Sequence, residues 1–139
     1  MKFTLLGIVM LVVCACSKGD KADLGPNGML DADGSNGSGD ISIRIWNDSK
    51  YSMENMYVDT GGGENDYGTV KNGQHSFYRQ FNSAYRYAFV SFKINGKAFT
   101  IQPLDYVGET PLKQGKYTYR IMVENLNSPY AYLEFIEED

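Results

Sequence analysis

The chain has 139 residues, with 13 Lys and Arg against 17 Asp and Glu and a formal net charge of −4 at pH 7. No basic patch is available to neutralise phosphates, so nucleic acid is excluded as a partner. Two cysteines and one histidine fall short of a structural zinc site, which wants four nitrogen or sulfur ligands.

The first element is an N-terminal leader. Met1 and Lys2 give a short cationic start, and residues 3–13 (FTLLGIVMLVV) form an apolar run of eleven residues. A transmembrane helix needs about 20 apolar residues, so the run has instead the length of a signal-peptide core. The tetrad Val13-Cys14-Ala15-Cys16 that ends it resembles the lipobox of bacterial lipoproteins: an aliphatic residue, a tolerant position, a small residue, then cysteine. Cys16 fits this pattern, whereas Val13 is too bulky for the position before Cys14. The resemblance implies cleavage after residue 15, loss of Cys14, and a diacylglyceryl thioether on Cys16, commonly with a third acyl group on its amine. Such a group is the expected membrane attachment, because each buried methylene contributes about 0.8 kcal/mol and more than one chain makes the anchor stable. A disulfide between Cys14 and Cys16 is geometrically poor.

Residues 16–40 are expected to be a flexible linker. Gly, Asp, Asn and Ser dominate SKGDKADLGPNGMLDADGSNGSGD, with five Asp against two Lys. Its apolar content is too low to offset the entropy of ordering. In the flexible regime these 24 residues span roughly 25 to 30 Å. Counted from Asp31 as a calcium loop, the sixth residue is Asn36 rather than Gly and the twelfth is Ser42 rather than Glu. Ser17-Lys18-Gly19-Asp20 partly resembles the signal that sends lipoproteins of the Bacteroidota to the cell surface, although Gly19 interrupts its acidic run and Lys21 follows.

Residues 41–139 hold all 11 tyrosines and the single tryptophan, enough for one core. Period two runs almost throughout: Ile41, Ile43 and Ile45 alternate with Ser42, Arg44 and Trp46, as Tyr117, Tyr119, Ile121 and Val123 do with their neighbours. Asn95-Gly96 stands between two alternating runs and predicts a type I′ hairpin. A two-residue loop fixes register, so Ile94 should face Lys97, Phe92 should face Phe99, and Val90 should face Ile101, with Val90, Phe92, Phe99 and Ile101 on one buried face. Breaks at residues 47–50, 59–66, 71–73, 105–115 and 127–129 divide the rest into seven or eight strands, which predicts an all-β fold, a single antiparallel β-sandwich. Residues 111–119 (PLKQGKYTY) resemble the strand entry of immunoglobulin-like and transthyretin-like sandwiches on bacterial envelope proteins. More broadly the chain is similar to small, tyrosine-rich lipoproteins of the Bacteroidota. That similarity implies the outer membrane, at its periplasmic face or at the cell surface, and carries no catalytic residue, metal or cofactor.

Several side chains invite a functional reading. Tyr85, Tyr87 and Phe89 alternate with Ala88, Val90 and Phe92, and an exposed row of aromatics would stack on a glycan or a partner protein. Asp59-Thr60-Gly61, after hydrophobic residues, resembles the active-site triplet of aspartic proteases, which needs two carboxylates sharing a proton and therefore two copies of this chain. Gly62 departs from that pattern, where Ala or Ser is usual, and Tyr106-Val107-Gly108 only faintly resembles its supporting element. Glu64, Asn65 and Asp66 read more simply as part of a solvated loop. His75 reads as a strand residue paired to a neighbour, Asp105 and Glu109 as loop carboxylates, and residues 137–139 (EED) as a solvated end. The expectation is a lipid-anchored envelope protein that binds or props rather than catalyses, with an envelope protein or a glycan as partner.

Overall fold

A computed structural model describes residues 39–104 and 106–138. Cys14, Cys16, most of the linker, Asp105 and Asp139 lie outside the described residues. Eight strands follow one another: β1 Ile41–Asn47, β2 Met53–Asp59, β3 Glu64–Val70, β4 Arg79–Phe81, β5 Phe89–Ile94, β6 Lys97–Ile101, β7 Gly115–Met122 and β8 Tyr132–Glu137. They form two four-stranded sheets, ordered β4-β1-β7-β8 and β3-β2-β5-β6, the layers of a β-sandwich. One pairing departs from the antiparallel expectation: β1 and β7 run parallel, with Ile43 opposite Tyr117 and Ile45 opposite Tyr119. Both strands are central in their sheet, and their inward residues Ile43, Ile45, Tyr119 and Ile121 are fully buried.

The β5–β6 hairpin has the expected register, Ile94 to Lys97, Phe92 to Phe99 and Val90 to Ile101. Asn95 and Gly96 take φ of 50° and 80°, the left-handed pair that a type I′ turn requires. Phe92 and Phe99 stack with centroids 5.4 Å apart, and only Ile101 of the four inward residues keeps some exposure.

Elsewhere the strands start earlier or end sooner than the pattern predicts. The loop expected over residues 59–66 is shorter, because β3 begins at Glu64 and Asn65 is buried with its Nδ2 donating to the Gln80 carbonyl (2.8 Å). An inward polar residue with a partner reads as solvated when only its type is visible. β2 and β3 also carry two compensating irregularities. Met53 pairs with Val70 and Met56 with Gly68, which inserts a residue in β2 near Asn55 (φ 50°); Tyr57 then pairs with Asp66, which inserts one in β3 beside Gly68 (φ 66°). The two shifts cancel, so Val58 and Tyr67 both still face the core.

Buried polar groups tie the layers together. Asn47, at the end of β1, is fully buried; its Nδ2 donates to the carbonyls of Tyr51 (2.7 Å) and Val70 (2.8 Å) at the end of β3, and its Oδ1 accepts from Ser49. Tyr67 donates its hydroxyl to the Ile43 carbonyl across the sandwich (2.8 Å). On the outer face, Trp46 stacks on His75 at 5.3 Å and lies under the Arg120 guanidinium at 4.9 Å. His75 is thus held by a single bridge to Trp46 rather than by a continuous strand.

Glu138 is more than part of a solvated end. Glu138 accepts from the hydroxyls of Thr118 and Tyr78 (the latter 2.6 Å) and pairs with Arg44 at 2.7 Å. Partial burial pushes its carboxyl up, but the Thr118 and Tyr78 hydrogen bonds and the Arg44 charge outweigh it and hold the group below its ordinary 4.5. A depressed carboxyl contributes stability above its unfolded value and loses it as pH falls through the folded one. Chemical denaturation as a function of pH should therefore show wild type losing stability below pH 4.5 more steeply than Glu138→Gln, with the two curves converging in acid. At neutral pH, Asn47→Ala leaves two carbonyls without their donor and should cost about 3 kcal/mol in a urea titration, at about 1 to 3 kcal/mol per unsatisfied group.

Candidate functional site

Strand pairing decides which side chains share the outer face of the second sheet. Asp59 pairs with Glu64 on one side and Phe89 on the other, and the hairpin register carried one step further sets Phe89 opposite Gln102. The adjacent line across the same face is Asp66, Tyr57, Ser91 and Thr100. Alternation does the rest, since Val58 and Val90 between them point into the core.

Beyond β6 the chain folds back over this face. Tyr106, Val107, Gly108 and Glu109 form a turn closed by Glu109 N–H to Tyr106 O (3.1 Å), with Gly108 at φ 83°. The loop is pinned behind the turn, where Leu112 N–H donates to the Ala84 carbonyl (2.8 Å) and the Tyr117 hydroxyl donates to the Lys113 carbonyl (2.7 Å). The result is an open cleft of about 360 Å³ lined by Tyr57, Asp59, Gly61, Phe89, Gln102, Pro103 and Tyr106. Leu104 and Val107 flank Tyr106 in sequence and are largely exposed.

The aromatic groups form two sets. Tyr106 lies against Tyr85 (centroids 4.9 Å, 30° between planes) and stacks on Tyr87 (5.5 Å, 14°), while Tyr57 meets Phe89 edge-on at 6.2 Å. Tyr119 fixes the base of the cluster by donating its hydroxyl to the Tyr85 carbonyl (2.6 Å). The expected row of Tyr85, Tyr87 and Phe89 is corrected in form: only Phe89 belongs to a strand, and all three are half-buried. Tyr85 and Tyr87 gather around Tyr106 and Phe89 pairs with Tyr57, rather than all three standing as an open ladder.

Polar groups in the cleft already have defined orientations. Asp59 accepts the Gly61 N–H at 2.8 Å, and the Tyr57 hydroxyl donates to Glu64 at 2.6 Å. That hydrogen bond, with slight desolvation and the charges of Glu64, Asp59 and Asp66, pushes the Tyr57 phenol up to about 12. Burial raises the Tyr106 phenol, a hydrogen bond from the Phe89 backbone acts against this, and Asp59 and Tyr85 raise it further. Both phenols therefore stay neutral hydroxyls at physiological pH.

Among the described residues, no group of three or more His, Cys, Asp or Glu side chains is placed to hold a metal ion. Asp59 stands at the end of β2, half-buried, and each chain contributes one such triplet. Tyr57, Gln102 and Pro103 were not singled out in the sequence, and Tyr106 was noted only within Tyr106-Val107-Gly108, not as a cleft aromatic. Gln102 was within reach, as it follows from extending the Asn95-Gly96 hairpin by one pair; Tyr106 was not, since its position depends on how a long loop packs. No family model matches the chain, and no curated protein or solved structure matches it.

The Gly62 departure has a local reason. A Cβ there would meet Ser83 Oγ at 1.9 Å and Ser83 O at 2.6 Å, where the Gly62 carbonyl accepts the N–H groups of Asn82 and Ser83 (3.1 and 3.3 Å). Thr60, buried beside it, donates its hydroxyl to the Ser83 carbonyl at 2.7 Å. Gly62→Ala should break this junction, costing about 1 to 3 kcal/mol by overpacking and increasing amide exchange at Asn82 and Ser83 in a hydrogen-exchange measurement.

Proposed function

We propose that this chain is a lipid-anchored protein of the bacterial outer membrane whose β-sandwich is a non-enzymatic recognition module, and that the cleft at Tyr57, Phe89 and Tyr106 is where it takes a glycan. The observation that carries the reading is the cleft itself: aromatic rings on two strands and a loop, beside one carboxylate and one amide, Asp59 and Gln102. A sugar has an apolar face of C–H groups and an equator of hydroxyls. Ring faces suit the first, and a carboxylate acceptor with an amide that both donates and accepts suits the second. Ligand sites generally have this composition, largely apolar with a few placed polar groups.

The anchor reading is supported by the leader and by the Val13-Cys14-Ala15-Cys16 tetrad. Twenty-four residues separate Cys16 from Ile41, enough chain to hold the cleft clear of a membrane surface. Anchor and cleft then divide the work, one fixing location and the other contacts.

Two measurements test the reading together. The full lipidated chain in detergent should be retained on an oligosaccharide array, and Tyr106→Ala should weaken that retention by about two- to tenfold, since stacking contacts contribute roughly 0.5 to 1.5 kcal/mol per aromatic pair beyond area. Cys16→Ser should move the protein from the membrane fraction to the soluble one. Retention on no glycan, with a stoichiometric protein partner recovered from gently solubilised membranes, would replace recognition of sugars by an accessory role in an envelope assembly.

A further inference from the structure

The charges around the cleft are unbalanced. The two lines across the outer face place three carboxylates, Glu64, Asp59 and Asp66, around Tyr57, and no Lys or Arg lines the cleft. Among the described residues, Asp59, Glu64 and Asp66 form no ion pair. On this sheet Lys93 stands opposite Glu54 and Lys97 donates to the carbonyls of Leu126 and Ser128, while Arg79, on β4 of the other sheet, donates to the Asp66 backbone carbonyl. The elevated phenols of Tyr57 and Tyr106 register the same negative field, each raised in part by Asp59.

Electron-rich ring faces beside a carboxylate attract a particular kind of group. A cation over an aromatic face gains about 0.5 to 1 kcal/mol when exposed and about 2 when desolvated, and a carboxylate adds a charge-assisted hydrogen bond. A hard metal ion would need six or more oxygen ligands, and among the described residues no group of three or more His, Cys, Asp or Glu is placed to hold one. The hydroxyls of a neutral sugar can hydrogen-bond to Asp59, but an ammonium adds the opposite charge to the same contact.

We infer that the cleft selects ligands carrying an organic ammonium group, foremost an amino sugar, with the ammonium at Asp59 and between ring faces of Tyr57 and Tyr106. The inference rests on the sugar reading above and adds to it the charge of the ligand. Asp59 is a specificity-determining residue on this account, and Phe89 and Tyr106 supply the platform that any sugar would use.

Titration calorimetry on the full lipidated chain in detergent, with three probes, separates the two readings. The probes are a β-1,4-glucosamine oligomer, its N-acetylated counterpart, and choline. The free-amine oligomer should bind about tenfold more tightly than the acetylated one, the scale of one cation–π and carboxylate contact. Added salt should narrow the gap. Asp59→Asn, which keeps an oxygen to accept the Gly61 N–H, should abolish the preference, the free-amine oligomer losing affinity by more than the acetylated one. Glu124→Gln, an exposed carboxylate outside the cleft, should not alter it. Equal affinity for the two oligomers would overturn the ammonium inference while the sugar reading stood. An equal loss in Asp59→Asn and Glu124→Gln would overturn it too, by showing general attraction to an acidic protein. Binding of choline with no binding of either sugar would uphold the ammonium site and remove the sugar reading, and no binding of any probe would remove both.

Discussion

Register is the constraint on which the rest of this molecule depends. In a sheet with one face in the core and one in solvent, a slip of one residue exchanges every inward side chain for an outward one. The Asn95-Gly96 turn locks β5 to β6, and β2 and β3 carry one inserted residue each, so that their errors cancel before Tyr57. Because they cancel, Glu64 falls opposite Asp59, in line with Phe89 and Gln102 on the outer face. A slip of one residue in β2 beyond Asn55 would turn Asp59 toward the position now held by Val58, and a charge in place of a fully buried valine is costly.

The tyrosines solve a second problem. With no disulfide between its layers, the sandwich relies on burial and on hydrogen bonds that cross from one element to another. Tyr67, Tyr117 and Tyr119 each bury a large ring and deliver a hydroxyl to a backbone carbonyl, those of Ile43, Lys113 and Tyr85 respectively. Phenylalanine would fill the same volume and leave those carbonyls unpaired. The bond from Tyr119 to Tyr85 also connects core to cleft: β7, the strand paired in parallel with β1, sets the height of the residue on which Tyr106 rests. Tyrosine richness is therefore shared between core and cleft, with different members of the set in each.

How much of this was legible follows from the range of the interactions involved. Local patterns gave the all-β class, the hairpin and its register, because alternation and a two-residue turn are encoded within ten residues. The fate of Asn65 was not legible: its inward position depends on a bulge at Gly68, and its partner, the Gln80 carbonyl, comes from the other sheet. Glu138 was misread for the same reason, since Arg44, Thr118 and Tyr78 converge on it from three separate segments. At the cleft, Phe89 and its neighbours Tyr85 and Tyr87 were visible as aromatics, and Asp59 as a carboxylate beside glycines. What alternation did not provide was Tyr106, because its place depends on the Leu112 bond to Ala84 and on ring contacts with Tyr85 and Tyr87, all far away in sequence.

The cleft and the proposed anchor would bear on each other through affinity. An open site of about 360 Å³ with a few half-buried rings excludes little water, and each polar contact in it competes with solvent. Single-site binding on such a surface is weak, which for a freely diffusing protein would be a defect. A protein fixed in a membrane by acyl chains meets a polymeric ligand as an array, and after the first contact each further one is intramolecular. Weak sites then gain strength by number, and they release singly, so the array can shift along a polymer without letting go. A deep, enclosed pocket would forfeit that mobility. The shallow geometry of this cleft is thus the one that membrane attachment through Cys16 would make useful.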